Sequence, residues 1–95
     1  MNAGAAITPT ATPALADHVR LQRDKARDCW IIQAPERVLF LDEVAVEVLR
    51  RLDGERSVRA IAENLADEYD AAVEEILNDV LELLNELAAK GIVKS

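Results

Sequence analysis

The chain has 95 residues, of which 51% are hydrophobic and three are aromatic, and its formal net charge is −7. This length allows one small domain with a core of mainly Leu, Val, Ile and Ala. A lone cysteine excludes an intrachain disulfide, and no apolar run reaches the roughly 18 residues of a membrane helix. The N-terminus also lacks the pattern of a secretory signal. We therefore expect a cytoplasmic protein without membrane association.

The first 16 residues are mostly Ala, Thr and Pro and carry almost no charge. Such a composition buries little apolar surface, so residues 1–16 are predicted to be a disordered tail or a fusion linker. Folding signals begin at Asp17, and the predicted domain covers residues 17–95.

Three short runs with strand patterns follow. Residues 19–23 alternate apolar and polar side chains, residues 29–32 are apolar on both faces, and residues 38–41 form the third run. Pro35 favours a tight turn between the second and third runs. Short links predict an antiparallel meander in which the third strand lies at an edge.

Two helices are predicted next from their capping residues. Asp42 is the expected N-cap of a helix over residues 43–52, which Gly54 would stop in the left-handed conformation. Ser57 is the expected N-cap of a second helix over residues 58–69.

A third, leucine-rich helix is predicted over residues 71–90, with Asp70 as its cap and Gly91 as its stop. Its apolar side chains cover an arc of about 160°, more than packing on one side requires. They are Val73, Ile76, Leu77, Val80, Leu81, Leu83, Leu84, Leu87 and Ala88. The surplus predicts core packing, a dimer seam, or one wall of a groove.

These elements predict an α+β fold: a three-stranded antiparallel sheet followed by a three-helix bundle, in a winged-helix-like layout. Such layouts bind DNA or peptides. Residues 60–95 carry two lysines against nine acidic residues. Phosphates would be repelled by this half, so DNA binding is the weaker alternative and nucleic acid is not an expected partner.

No residue pattern predicts catalysis, a metal site or a cofactor. His18 has no second ligand or base near it, and Cys29 lies within a predicted strand. We therefore expect a protein that is not an enzyme.

Two further features could bind a partner. The third strand either is a harmless short edge guarded by Arg37 or accepts an extended peptide as a fourth strand. Four arginines around the turn between the first two helices either pair with nearby acids or contact an acidic partner. They are Arg50, Arg51, Arg56 and Arg59.

Several stretches, in this order and spacing, resemble the PqqD family and the peptide-recognition domains related to it. They are Trp30 to Asp42, Leu49-Arg50-Arg51-Leu52-Asp53-Gly54, Arg56 to Ile61, Asp79 to Leu84, and Lys90-Gly91-Ile92-Val93. The resemblance covers about residues 17–94.

The resemblance implies a non-enzymatic chaperone of pyrroloquinoline quinone (PQQ) biosynthesis. Such a chaperone binds the precursor peptide PqqA and presents it to the radical SAM enzyme PqqE. Some members are fused to PqqC, so a contact with PqqC is also implied. The alternative is a leader-peptide recognition domain of another modified-peptide pathway.

In related recognition domains the leader peptide lies along the third strand and against the third helix. On this chain the strand wall would be Arg37, Val38, Leu39, Phe40 and Leu41. The helix wall would be Ile76, Leu77, Val80, Leu81 and Leu84. We expect a monomer or a weak dimer, and a module that serves only for dimerisation is a further alternative.

Overall fold

The computed structural model of the chain describes residues 6–95, which form strands and helices in one packed unit. The elements are β1 (Ala14–Leu15), β2 (Arg20–Asp24), β3 (Cys29–Ala34), β4 (Arg37–Leu41), α1 (Glu43–Leu49), α2 (Val58–Tyr69), α3 (Val73–Ala89) and β5 (Val93–Lys94). The predicted α+β fold, with a three-stranded sheet followed by three helices, is confirmed.

The main sheet is an antiparallel meander with the strand order β2-β3-β4. Ile32 of the central strand lies opposite Leu21 on one side and Leu39 on the other. The prediction that β4 lies at an edge is confirmed. β1 and β5, which the sequence did not predict, pair with each other in a separate two-stranded sheet.

The two faces of the main sheet have different surroundings. Side chains on one face, including Leu21, Ile32 and Leu39, pack against the helices. The alternation of side chains along a strand places Ile31 and Phe40 on the opposite face. We call these the inner face and the outer face.

Helix α1 begins where the sequence predicts and ends three residues earlier. The Ala45 N–H donates to the Asp42 carboxylate at 2.8 Å, which confirms the predicted cap. At the other end, the N–H groups of Arg51 and Leu52 donate to carbonyls three residues earlier in the chain. This is the spacing of a 3₁₀ turn, so the α-helix ends there. Gly54 has the predicted positive φ of 77°, but it lies beyond the helix end.

Helix α2 spans the predicted residues, with Ser57 as its N-cap. The predicted cap of α3 is wrong. Asp70 has a φ of 53° and ends α2 in the left-handed conformation, which short polar side chains tolerate. Helix α3 therefore starts later, after Ala72, and has no side-chain cap. At its other end Gly91 has a φ of 77°, as the predicted stop requires.

The core lies between the inner face of the sheet and the three helices. Its fully buried side chains include Ile32, Val48, Val58, Ile61, Leu65, Leu84 and Ile92. Nearly all of them are aliphatic, as the small number of aromatic residues predicts.

The prediction of a disordered tail is wrong for residues 7–15; residues 1–5 lie outside the described part of the chain. Ile7 is buried, and both its N–H and its C=O bond to the side-chain amide of Asn85, at 2.7 and 3.2 Å. Carbonyls of Pro9, Ala11 and Pro13 accept bonds from the backbone around the start of α2. We call residues 7–15 the N-terminal strap. Its composition predicts disorder, but its backbone finds partners distant in the sequence.

Candidate functional site

The free edge of β4 is the first part of the candidate site. In an antiparallel pair of strands, opposed residues alternate between hydrogen-bonded and non-hydrogen-bonded pairs. Ala34 and Arg37 flank the two-residue turn between β3 and β4, and the residues that flank such a turn form a hydrogen-bonded pair. The N–H of Leu39 therefore points toward β3, whereas the N–H groups of Val38 and Phe40 point away from the sheet. Both of these side chains are exposed, Val38 at 48% and Phe40 at 61%. The edge thus offers backbone donors and acceptors to an incoming strand.

An apolar cleft of about 270 Å³ lies between the three helices and is the second part of the site. Helix α1 supplies one side, α3 the other, and the end of α2 closes it. The lining residues are Asp42, Val44, Ala45, Val48, Leu65, Tyr69, Ile76, Asp79, Val80 and Leu83.

The edge and the cleft adjoin each other along the chain. Asp42, which lines the cleft, directly follows Leu41, the last residue of β4. Arg37 lies at the opposite end of the strand. An extended chain that pairs with β4 would therefore reach the cleft near Leu41.

The structure divides the predicted helix wall into two groups. Ile76 and Val80 line the cleft; Ile76 is half-buried, whereas Val80 is 2% exposed and forms the floor that the cleft shares with the core. Leu77 and Leu84 are buried in the core, at 4% and 0% exposure, so they offer almost no surface to a ligand. Leu81 is half-buried, packs against the core and is not among the cleft residues.

Other cleft residues were missed by sequence reasoning. Val44 is 56% exposed beside the cleft, and Leu83 continues the apolar wall of α3. The exposure of Val44 cannot be read from its helical spacing alone, because it depends on how α1 packs. Leu83 belonged to the predicted apolar arc, but nothing in the sequence assigned it to the cleft.

Three polar side chains border the cleft. Asp42 is engaged in its cap, and Asp79 is an exposed residue of α3. The pKa of Tyr69 is raised above its usual value of 10.0, mainly by loss of solvation and to a lesser extent by the nearby carboxylates of Glu47 and Glu68. The Tyr69 hydroxyl therefore stays protonated at neutral pH and can donate a hydrogen bond.

All four predicted partner-binding arginines form ion pairs within the chain. The pairs are Arg50–Glu47, Arg51–Glu47, Arg51–Glu68, Arg56–Asp53 and Arg59–Glu74. Arg51 is the least exposed of the four and also donates to Asn64. The structure therefore favours intrachain pairing over an acidic partner at this cluster. It also weakens the alternative of DNA binding, because arginines paired with carboxylates of the same chain are less available to phosphates.

The described residues contain no group of three or more His, Cys, Asp or Glu side chains that could hold a metal ion. Among the same residues no helix is long and apolar enough to span a membrane. Cys29 is half-buried within β3.

A sheet whose edge strand β4 is open, next to an apolar cleft between helices, defines a small α+β domain with the geometry of a peptide-recognition module. A model of the family described as Coenzyme PQQ synthesis protein D (PqqD) matches residues 29–93. The chain belongs to the PqqD family, which confirms the resemblance.

Relatives of this family are similar in sequence to nearly the whole chain. The PqqA binding protein of Xanthomonas axonopodis pv. citri (strain 306) is 48% identical over 88 residues, covering 93% of this chain and 96% of that protein. The PqqA binding protein of Bradyrhizobium diazoefficiens is 46% identical over 87 residues, covering 92% of this chain and 84% of that protein. Both names describe binding, and neither describes catalysis.

Two solved structures share the fold. One is the solution NMR structure of the PqqD truncation of Methylobacterium extorquens PqqCD, described as a functional and stand-alone RiPP recognition element. It is 38% identical, with a TM-score of 0.83 and coverage of 95% of this chain and 96% of that chain. The crystal structure of PqqD from Xanthomonas campestris is 49% identical, with a TM-score of 0.56 and coverage of 88% and 93%.

Proposed function

We propose that this chain is a non-enzymatic chaperone that binds the precursor peptide PqqA and presents it to PqqE in PQQ biosynthesis. The observation that carries the proposal is the continuity between the free edge of β4 and the apolar cleft. The relatives named PqqA binding protein support the identity of the peptide.

The peptide is held first through its backbone. It adds to β4 as a fourth strand and bonds with the outward groups of Val38 and Phe40. Main-chain pairing of this kind does not read side chains, so it contributes affinity while leaving register to the cleft.

The cleft supplies the specificity. Apolar side chains of the peptide enter between Val44 on α1 and Ile76 and Leu83 on α3. At about 270 Å³ the cleft is close to the smaller binding pockets, which start near roughly 300 Å³. The Tyr69 hydroxyl and the Asp79 carboxylate offer a donor and an acceptor at its border, so a cationic or N–H-bearing group next to the apolar anchor is favoured.

Chemistry on the peptide belongs to PqqE in this proposal. Among the described residues, the ionisable side chains that line the cleft are two aspartates and a tyrosine, and no nucleophile is paired with a base there. Contact with PqqC is proposed through the N-terminal strap, because a strap fixed on the bundle would give a preceding domain a defined position. The relative with the solved NMR structure is itself a truncation of PqqCD.

The experiment that tests the peptide site compares two substitutions on α3 by calorimetric titration with PqqA. Ile76 lines the cleft, whereas Val73, which is also half-buried on the same helix, does not. Ile76→Glu should weaken PqqA binding at least about tenfold, because it places a charge where an apolar side chain must be desolvated. Val73→Glu should leave the affinity within about threefold of the wild type.

Circular dichroism must show that both variants are folded. Unchanged PqqA affinity in folded Ile76→Glu would exclude the cleft as the peptide site.

A further inference from the structure

The outer face of the main sheet carries side chains that the proposed peptide site leaves exposed, because the peptide pairs with the backbone of β4 and not with this face. Register places Ile31 on it next to Phe40, with Val38 beyond, and the helices lie on the opposite face. Phe40 is one of only three aromatic residues in the chain and is 61% exposed. Neighbouring apolar side chains that stay exposed on a small domain make this face a candidate interaction surface.

One arginine is held in place over this patch. The Asp24 carboxylate accepts bonds from the backbone N–H and the guanidinium of Arg27, at 3.2 and 3.1 Å. This holds the guanidinium 5.5 Å from the centre of the Phe40 ring. Aromatic and arginine side chains are both enriched at protein interfaces, so an exposed ring with an ordered arginine above it suits a protein partner.

The same face ends in a polar hollow near the β3–β4 turn. Its lining includes His18, Arg20, Gln22 and Gln33. Arg20 makes no ion pair within residues 6–95, so its charge and the two amides are available to a carboxylate. The hollow therefore complements an acidic side chain beside the apolar patch.

Charge separates this region from the rest of the molecule. Residues 20–41 contain five basic and three acidic residues, a net +2, which leaves −9 on the remainder of a chain of −7. A symmetric contact between two copies through this face would bring two positively charged faces together, so it is disfavoured. Apolar side chains and glutamines at the centre fit a protein surface better than the phosphates of a nucleic acid or a lipid.

We propose that the outer face docks a globular protein through an acidic and partly apolar surface, and that this protein is the peptide-modifying enzyme of the proposed function, on which the inference rests. Such an enzyme would lie beside the strand that the peptide adds to β4. Peptide and enzyme would then occupy adjoining but separate surfaces.

The test measures the affinity of PqqE and of PqqA separately for wild type and for a double variant, Arg20→Glu with Ile31→Thr. Threonine keeps the β-branch that suits a central strand, and neither position lies on β4 or in the cleft. PqqE binding should fall at least about tenfold, with PqqA affinity within about twofold. The matched control, Lys90→Glu, makes the same charge change at an exposed position outside the sheet and should lower PqqE affinity less than about threefold.

The outcomes separate the two proposals. Failure of the wild type to bind PqqA contradicts the proposed function. Three results would overturn the docking face: failure of the wild type to bind PqqE, unchanged PqqE affinity in the double variant, or an equal loss of affinity in Lys90→Glu. The docking face would also be overturned if the wild type bound phosphatidylserine vesicles or duplex DNA and the double variant lost that binding while it kept its PqqE affinity.

Discussion

Two extended segments of this small domain differ in whether their backbone groups are hydrogen-bonded within the fold. The N-terminal strap bonds through its carbonyls to the start of α2, and Asn85 holds Ile7 on both sides. β4 bonds to β3 along one edge and leaves its other edge open. One segment is an extended chain already bound by the fold, and the other is a place where an extended chain can be added.

The comparison shows that backbone partners, more than composition, decide whether an extended segment is ordered. The strap has little charge and few large side chains, yet it buries Ile7 and Pro13. β4 has a strong strand pattern, yet Val38 and Phe40 remain exposed. A segment therefore becomes ordered where the fold offers it donors and acceptors that would otherwise be unsatisfied.

The largest expected effect comes from proline substitutions at neighbouring positions of β4. Leu39→Pro removes an N–H that bonds to β3, so it should lower the free energy of unfolding by about 3 kcal/mol or more. Val38→Pro removes an outward N–H, so urea unfolding should change by less than about 1 kcal/mol, as edge strands tolerate proline.

The same pair also separates folding from binding. PqqA affinity of Val38→Pro should fall at least about tenfold, and further than that of Val38→Ala, because only proline removes the donor. Equal affinities of the two Val38 variants would contradict strand addition at this edge.

A smaller effect is expected where α3 holds the strap. Asn85→Ala leaves both backbone groups of Ile7 without their partner, so the free energy of unfolding should fall by about 2 kcal/mol. Asn78→Ala, at an exposed position of the same helix, should change it by less than about 0.5 kcal/mol. If both substitutions had the same small effect, the strap would be no more ordered than its composition predicts.

The smallest effect concerns pH. A hydrogen bond from Arg51, aided by the charges of Arg50 and Arg51, lowers the pKa of Glu47 below its usual value of 4.5. Because the folded-state pKa is depressed, this carboxylate stabilises the fold above about pH 4.5, and the contribution is lost as pH falls through the folded-state value.

The partly exposed site limits that contribution to about 1 kcal/mol or less. The difference in urea stability between wild type and Glu47→Gln should therefore shrink between pH 6 and pH 3. A difference that grew on acidification would contradict a lowered pKa of Glu47 in the folded protein.

Local signals in the sequence predicted much of the fold. Asp42 and Ser57 cap their helices as expected, and the order of the three strands follows from their short links. These features depend on residues that are close in the sequence. Asp70 was assigned to the wrong helix because one short polar side chain can either begin a helix or end one.

The rest depended on contacts between distant residues. The strap is bound by Asn85, 78 positions from Ile7, and no local pattern reveals that partner. The apolar arc of α3 was correctly identified as too wide for one-sided packing. Its division into a core side at Leu77 and a cleft side at Ile76 depends on how α1 packs, which helical spacing does not specify.

The central claim is most directly tested by an amide NMR titration of the isotope-labelled chain with unlabelled PqqA. We expect shifts at Val38, Phe40 and their β4 neighbours, together with Val44 and the cleft side of α3 at Ile76 and Val80. Few shifts are expected at the N-terminal strap. Shifts confined to the strap or to the arginines between α1 and α2, or no shifts at saturating peptide, would contradict it.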